Sequence, residues 1–169
     1  MVENFDVGKE KVQFGVVQFS ENPRIEFFLN THSTKKAVLS AIKKLKLKRG
    51  KKIHIGQALD HVIRNVFVSS AGSRMEDAVP QILLLLTSGK SNDDISQQAD
   101  KLRKLGIVLF GIGLRAADRT VLEPMTYSAS LAFPVKSFQG LLDIQNRLQQ
   151  IMKTVSVEVL ETTAEETIK

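Results

Sequence analysis

The stretch VPQILLLLTSGKSNDD, Val79 to Asp94, decides how this chain folds. Its apolar run from Ile82 to Leu86 breaks abruptly into Thr-Ser-Gly-Lys-Ser, with Asp93 and Asp94 close behind. A strand this continuously apolar is buried on both faces, and such strands belong to parallel sheets covered by helices. Ligands of those sheets sit in the crevice beyond the carboxyl ends of the strands, where the polar half of this stretch falls. Three chemistries end a strand this way: a phosphate-cradling loop, a metal site, or the remains of either.

The phosphate loop is excluded by spacing. The pattern G-x-x-x-x-G-K-S needs a glycine five positions before Gly89, so that backbone amides can wrap the phosphates. Leu84 stands there, inside the strand. The later GIGLRAAD, beginning at Gly111, lacks the third glycine of a dinucleotide-binding turn, and its glycines read as a tight turn after a strand. Acid–base catalysis would need a partner set. His32 falls in a polar turn, and His61 follows Asp60 on a helix, facing solvent. His54 lies before a helix at the ligand-binding edge, where a bystander role outweighs a catalytic one. The chain has no cysteine and no serine in a nucleophile-elbow setting. No enzyme is expected, and no catalytic residue is assigned.

The flanking segments complete an α/β pattern. Lys11 to Phe19, KVQFGVVQF, reads as a buried strand, and RIEFFL from Arg24 follows after a turn too short for anything but an antiparallel hairpin. From Thr34, Val38, Ala41, Ile42 and Leu45 form one helical stripe, with Ser33 as the expected cap. A second stripe runs through Ala58, Leu59, Val62, Ile63 and Val66. Asp93 and Asp94 read as the acidic start of a helix that Gly106 stops. IVLFGIG is another buried strand; DRTVLEPM is a short helix, LAFPV a short strand, and a Ser137-capped helix follows. The order predicts an α/β fold: a doubly wound, mostly parallel sheet with one antiparallel edge strand and helices on both faces. A single domain is expected over residues 1–155, with the polar stretch 156–169 as a linker.

Composition narrows the class further. The 169 residues suffice for one domain with a full core. With 43% hydrophobic and 25% charged residues, the chain is ordinary for a globular protein. Without cysteine there is no disulfide or thiolate site, yet a well-built core needs none even outside the cell. No apolar run approaches a membrane span, and no signal-peptide pattern opens the chain. It is therefore expected to be cytosolic or an internal piece of a larger secreted protein. Much of the net charge of +6 lies in KKLKLKRGKK, comprising Lys43, Lys44, Lys46, Lys48, Arg49, Lys51 and Lys52. Such a cluster either binds a nucleic acid or sulfated polysaccharide, or is a solvated helix end where lysines complement the macrodipole.

The joint pattern VQFGVVQFS, IGQALDHVIRNVF, GSRMEDAVPQILLLLTSGKSNDD, LGIVLFGIG and SFQGLLDI resembles a von Willebrand factor type A domain. Within that family it is most similar to the N-terminal A-type repeats of collagen VI. The resemblance covers nearly the whole chain. It implies a secreted, non-enzymatic module of the extracellular matrix that takes part in microfibril assembly and cell or matrix adhesion. The implied partners are matrix proteins and neighbouring A-type domains, with glycosaminoglycans on the basic segment, no nucleic acid and no membrane insertion. The competing expectation is a flavodoxin-like switch domain holding a phosphate or nucleotide between Ser88 and Ser91 at a helix N-terminus.

In the resembled family the crevice holds a divalent metal, the metal-ion-dependent adhesion site. It is built from Asp-x-Ser-x-Ser after the first strand, a threonine before the G-x-A-L helix, and the aspartate of T-D-G-K-S. Here Ser88 stands at the aspartate and Lys51 at the threonine, while the first segment has no counterpart. A hydroxyl replaces a carboxylate, and an ammonium repels Mg²⁺. A degenerate site with no metal and no cofactor is expected. The resemblance also places one more strand before Val12, so that MVENFDVGKE reads as the end of a helix. Without that strand, unpaired backbone groups would cost on the order of 1–3 kcal/mol each and prevent stable folding.

Overall fold

The computed structural model describes the backbone of residues 1–168 and the side chains of residues 1–154. Its element order is the expected alternation of strands and helices, and the fold is α/β. Two compact units divide the chain. One comprises Met1–Ser73 with Ser91–Asp94, the other Arg74–Lys90 with Ile95–Lys169.

The first unit is a hairpin with two helices. Strands β1 (Val16–Phe19) and β2 (Pro23–Phe27) pair antiparallel, with Val17 opposite Ile25 and Gln18 opposite Arg24. They form a two-stranded sheet of their own. Residues 16–19 are only half-buried, so β1 is shorter and less enclosed than its apolar sequence predicts. Helix α1 (Lys35–Lys43) is capped by Thr34, one residue later than expected, whose Oγ1 accepts the Ala37 N–H at 3.2 Å. Helix α2 (Ile55–Asn65) buries Ala58, Leu59, Val62 and Ile63 on the predicted stripe. Before β1, residues 2–4 form a 3₁₀ turn and Val7 bridges Val12. The N-terminal stretch expected as a helix end is thus a tight turn and an extended bridge.

The second unit holds a three-stranded parallel sheet in the order β3 (Gln81–Thr87), β4 (Ile107–Leu114), β5 (Ala132–Val135). Leu84 pairs with Phe110, and Gly111 with Ala132. Parallel neighbours cannot be joined by a tight turn. The crossovers carry α3 (Ser96–Lys104) and α4 (Arg119–Leu122), and α5 (Phe138–Ile168) follows β5. Residues 156–168, expected as a linker, lie within α5. Gly106 closes α3 with φ +73°, a conformation that glycine adopts without strain. Gly113 is fixed by crowding, since a Cβ there would stand 1.9 Å from the Ala117 carbonyl oxygen.

Burial separates two strands that read alike in sequence. Central β4 is buried from Ile107 to Gly113, and Phe110 has no exposed surface. In β3, Ile82, Leu83 and Leu84 are half-buried and Leu86 is 45% exposed. Among the described residues β3 pairs on one side only, with β4. The predicted burial on both faces therefore holds for β4 and only in part for β3. Leu102, Leu122 and Leu148 bring the helices into the same unit's core, joined by Met125 just beyond α4.

Phe110→Ala removes a fully enclosed ring from the central strand and is expected to cost about 3–5 kcal/mol, read as a lowered urea midpoint. A loss below about 1 kcal/mol would show that the β4 environment is not the close-packed centre described.

Candidate functional site

The segment Ser91–Asp94 closes over the start of α2. A helix begins with backbone N–H groups that have no partner within it, and His54, at the cap position, makes no side-chain capping bond. The donors are satisfied from a segment about 36 positions further along the chain. Ser91 Oγ accepts the Ile55 N–H at 3.0 Å, and the Asp93 carboxylate accepts the Gly56 and Gln57 N–H groups at 2.9 and 2.8 Å. The Ser91 hydroxyl also donates to the same carboxylate. Beside it, the Ile53 N–H donates to Asn92 Oδ1 and the Asn92 N–H to the Ile53 carbonyl, both at 2.7 Å. Gly56 is demanded by the approach, because a Cβ there would lie 2.1 Å from the Asp94 carbonyl oxygen.

The electrostatics follow from that geometry. Partial burial by itself raises the Asp93 pKa, but the hydrogen bonds from Ser91, Gln57 and Gly56 and the charge of His54 outweigh it. The carboxyl is held below its ordinary value of 3.8. A negative charge at the positive end of a helix is favourable as well. Asp93 and Asp94 do not start the next helix, as the sequence suggests. Helix α3 begins only at Ser96, with Ile95 at its cap position. Asp93 is drawn away because three donors converge on it at α2.

The same arrangement removes the expected anion seat. Residues Ser88–Ser91 stand at no helix N-terminus of their own, and α2 already holds the carboxylate of Asp93. At the end of β3, Ser88 is exposed, while buried Thr87 turns its hydroxyl to the Gly89 carbonyl at 2.9 Å. In the other unit, Lys51 is exposed and its backbone N–H donates to Glu21 Oε1 at 3.2 Å. An ammonium cannot ligate a hard divalent cation, and a hydroxyl is a weaker ligand for one than a carboxylate. No three His, Asp or Glu side chains among the described residues come together as a metal site. Neither Ser88 nor Lys51 supplies a carboxylate for a metal.

The histidines take structural positions. His54 Nδ1–H donates to the Glu21 carbonyl at 2.9 Å, and its N–H to the Ser20 carbonyl at the same distance. His32 meets the Phe27 ring edge-on at 5.0 Å, and the His61 ring lies beside Asn65 on α2.

The basic residues come together as an extended strip. Lys43 lies in the last turn of α1 and Lys44 caps it, so the helix-end reading covers only these two. Beyond them the backbone is hung from the hairpin. Gln18 and Arg24 donate to the Lys46 carbonyl at 2.9 and 2.8 Å, and the Lys48 N–H donates to Gln18 Oε1 at 2.9 Å. The Ser20 hydroxyl reaches the Arg49 carbonyl at 3.4 Å. Because main-chain groups make the anchors, the side chains of Lys43, Lys44, Lys46, Arg49, Lys51 and Lys52 stay exposed, with Lys48 half-buried. None of these cations forms an ion pair within the described residues.

Asp93→Ala should destabilise the chain by about 1–2 kcal/mol at neutral pH, as losing a helix cap does. Because folding depresses the Asp93 pKa, its contribution is present above the unfolded value near 3.8 and fades as pH falls through the lower folded value. Urea melts of the two proteins should therefore converge under strongly acidic conditions. A difference that is constant across this range would exclude the charged cap.

Comparison with known proteins places this geometry in a family. The family model of the von Willebrand factor type A domain matches residues 1–147. The human collagen alpha-5(VI) chain is 33% identical over 161 residues, which cover 94% of this chain and 6% of that one. The collagen alpha-1(XII) chain of Notophthalmus viridescens is 36% identical over 152 residues, covering 89% of this chain and 16% of its own length. The chain thus spans a small part of these relatives. Among solved structures, proximal thread matrix protein 1 from the mussel byssus superposes with a TM-score of 0.79 at 32% identity. That match covers 85% of this chain and 37% of the mussel protein, which has also been solved with a zinc-occupied metal-ion-dependent adhesion site. On its sequence and on its fold, the chain belongs to the von Willebrand factor type A domain family.

Proposed function

We propose that the chain is a non-enzymatic interaction module of the extracellular matrix, contributing to assembly of a collagen VI-like microfibril and to adhesion through contacts that need no metal. Ser88, standing where the resembled site has its aspartate, is the observation that carries the metal-free reading. Lys51 at the threonine position adds a repelling charge. The commitment of Asp93 to the start of α2 supports it further, because the carboxylate nearest in sequence to Ser88 has its oxygens occupied. The similarity to collagen chains supports partners among matrix proteins and neighbouring A-type domains.

The strip from Lys43 to Lys52 is the second part of the proposal. Its unpaired cations, carried on a backbone held at several points, suit an extended sulfated polysaccharide better than a compact ligand. Part of the ordering cost of binding is already met by the anchors from Gln18, Ser20 and Arg24.

Calorimetry with Mg²⁺ or Mn²⁺ is expected to show no saturable heat, whereas micromolar binding weakened by Ser88→Ala would overturn the metal-free reading. On a heparin column, replacing Lys48, Arg49, Lys51 and Lys52 with glutamine should abolish retention near physiological salt. Retention equal to that of the unaltered chain would refute the strip as a glycosaminoglycan site.

A further inference from the structure

We propose that the outer edge of β5 forms a docking cleft for the carboxylate side chains of an acidic protein segment. A cavity of about 370 Å³ opens there, lined by Arg119, Ser130, Phe133, Pro134, Ile144 and Arg147. It lies wholly within the second unit. The proposal rests on the reading of the chain as a protein-interaction module and names one surface for it.

The strand edge itself is closed to pairing. β5 bonds to β4 on one side, and exposed edges of this kind commonly recruit another strand. Pro134 has no N–H to offer, and the Ala132 carbonyl already accepts from Arg119 Nη1 at 3.2 Å. What remains is a recess for side chains.

The two arginines differ in what they have left to give. Arg119 is held by Glu123 at 2.9 Å and by the carbonyls of Ala129 and Ala132 at 2.9 and 3.2 Å. It is a rigid wall whose charge is matched by Glu123. Arg147 is exposed and lies over the Phe133 ring, with its guanidinium carbon 5.7 Å from the ring centroid. It makes no ion pair with a described residue. The cation–π contact holds the guanidinium beside the cleft, and its N–H groups suit an incoming carboxylate.

The rest of the cleft selects among anions. Pro134 and Ile144 are apolar walls against which the methylenes of a glutamate can lie, whereas a sulfated polysaccharide offers no such surface. One uncompensated cation also serves a single carboxylate, while a polyanion is served by the array from Lys43 to Lys52. Charge and shape complementarity therefore favour an acidic peptide over a polysaccharide.

Titrating the isotope-labelled chain with end-blocked hexaglutamate at low salt should move the amide resonances of residues 130–133, 135 and 144–147 saturably, with hexaglutamine inert. Arg147→Gln should weaken that binding by at least about fivefold, with an unchanged melting temperature, and Arg147→Lys should fall between. The variant with Lys48, Arg49, Lys51 and Lys52 replaced by glutamine should keep the cleft response, which separates this surface from the basic strip. Shifts confined to residues 43–52, equal affinity for Arg147→Gln, or displacement from the cleft by a heparin oligosaccharide would each overturn the proposal. Those failures would leave the heparin and metal results of the module reading untouched.

Discussion

The Asp93 carboxylate across the first turn of α2 is the constraint on which the functional end of the first unit depends. Each buried donor left without a partner costs about 1–3 kcal/mol. Here Ser91 and Asp93 answer for Ile55, Gly56 and Gln57 together. The price is local and visible in Gly56, where any side chain would strike the Asp94 carbonyl. The reciprocal pair between Ile53 and Asn92 extends the same attachment by one more turn of chain. The loop that leads into α2 is thus tied at Lys51, Ile53 and His54 by hydrogen bonds to Glu21, Asn92 and Ser20.

That constraint also decides what chemistry the segment Ser91–Asp94 can perform. An aspartate with both oxygens receiving helix N–H groups is a cap, and its lowered pKa reflects those bonds. The positive end of α2, which could have drawn a phosphate, is filled by the chain itself. The family's architecture is retained while polar residues at the strand end serve packing and capping. Surfaces elsewhere carry the charge available for recognition, on the strip hung from the hairpin and beside β5.

Much of this was legible in the residues. The α2 stripe appeared with Ala58, Leu59, Val62 and Ile63 all buried, and the apolar run of β4 is enclosed as its composition implies. Gly106 ends α3 where its position suggested. Other features were misread for physical reasons. Asp93 looks like a helix start because acids favour first turns, but the turn it serves is that of a helix far earlier in the chain. The leucines of β3 resemble those of β4, yet burial depends on how many neighbours a strand has, which composition does not record. The lysines after Lys44 looked like a helix end, because the anchors that hold them extended come from Gln18, Ser20 and Arg24.

The sequence by itself determined the α/β class, the order of elements and the lack of phosphate-loop spacing before Gly89. Those are properties of periodicity and of residue identity at a spacing, and both are local. Only the tertiary structure decided that Asp93 caps α2, that the basic residues form one largely exposed strip, and that Arg147 lies over the Phe133 ring beside β5. Each of these depends on which groups meet across long separations in the chain, and such meetings are settled by packing and by the need to satisfy backbone donors.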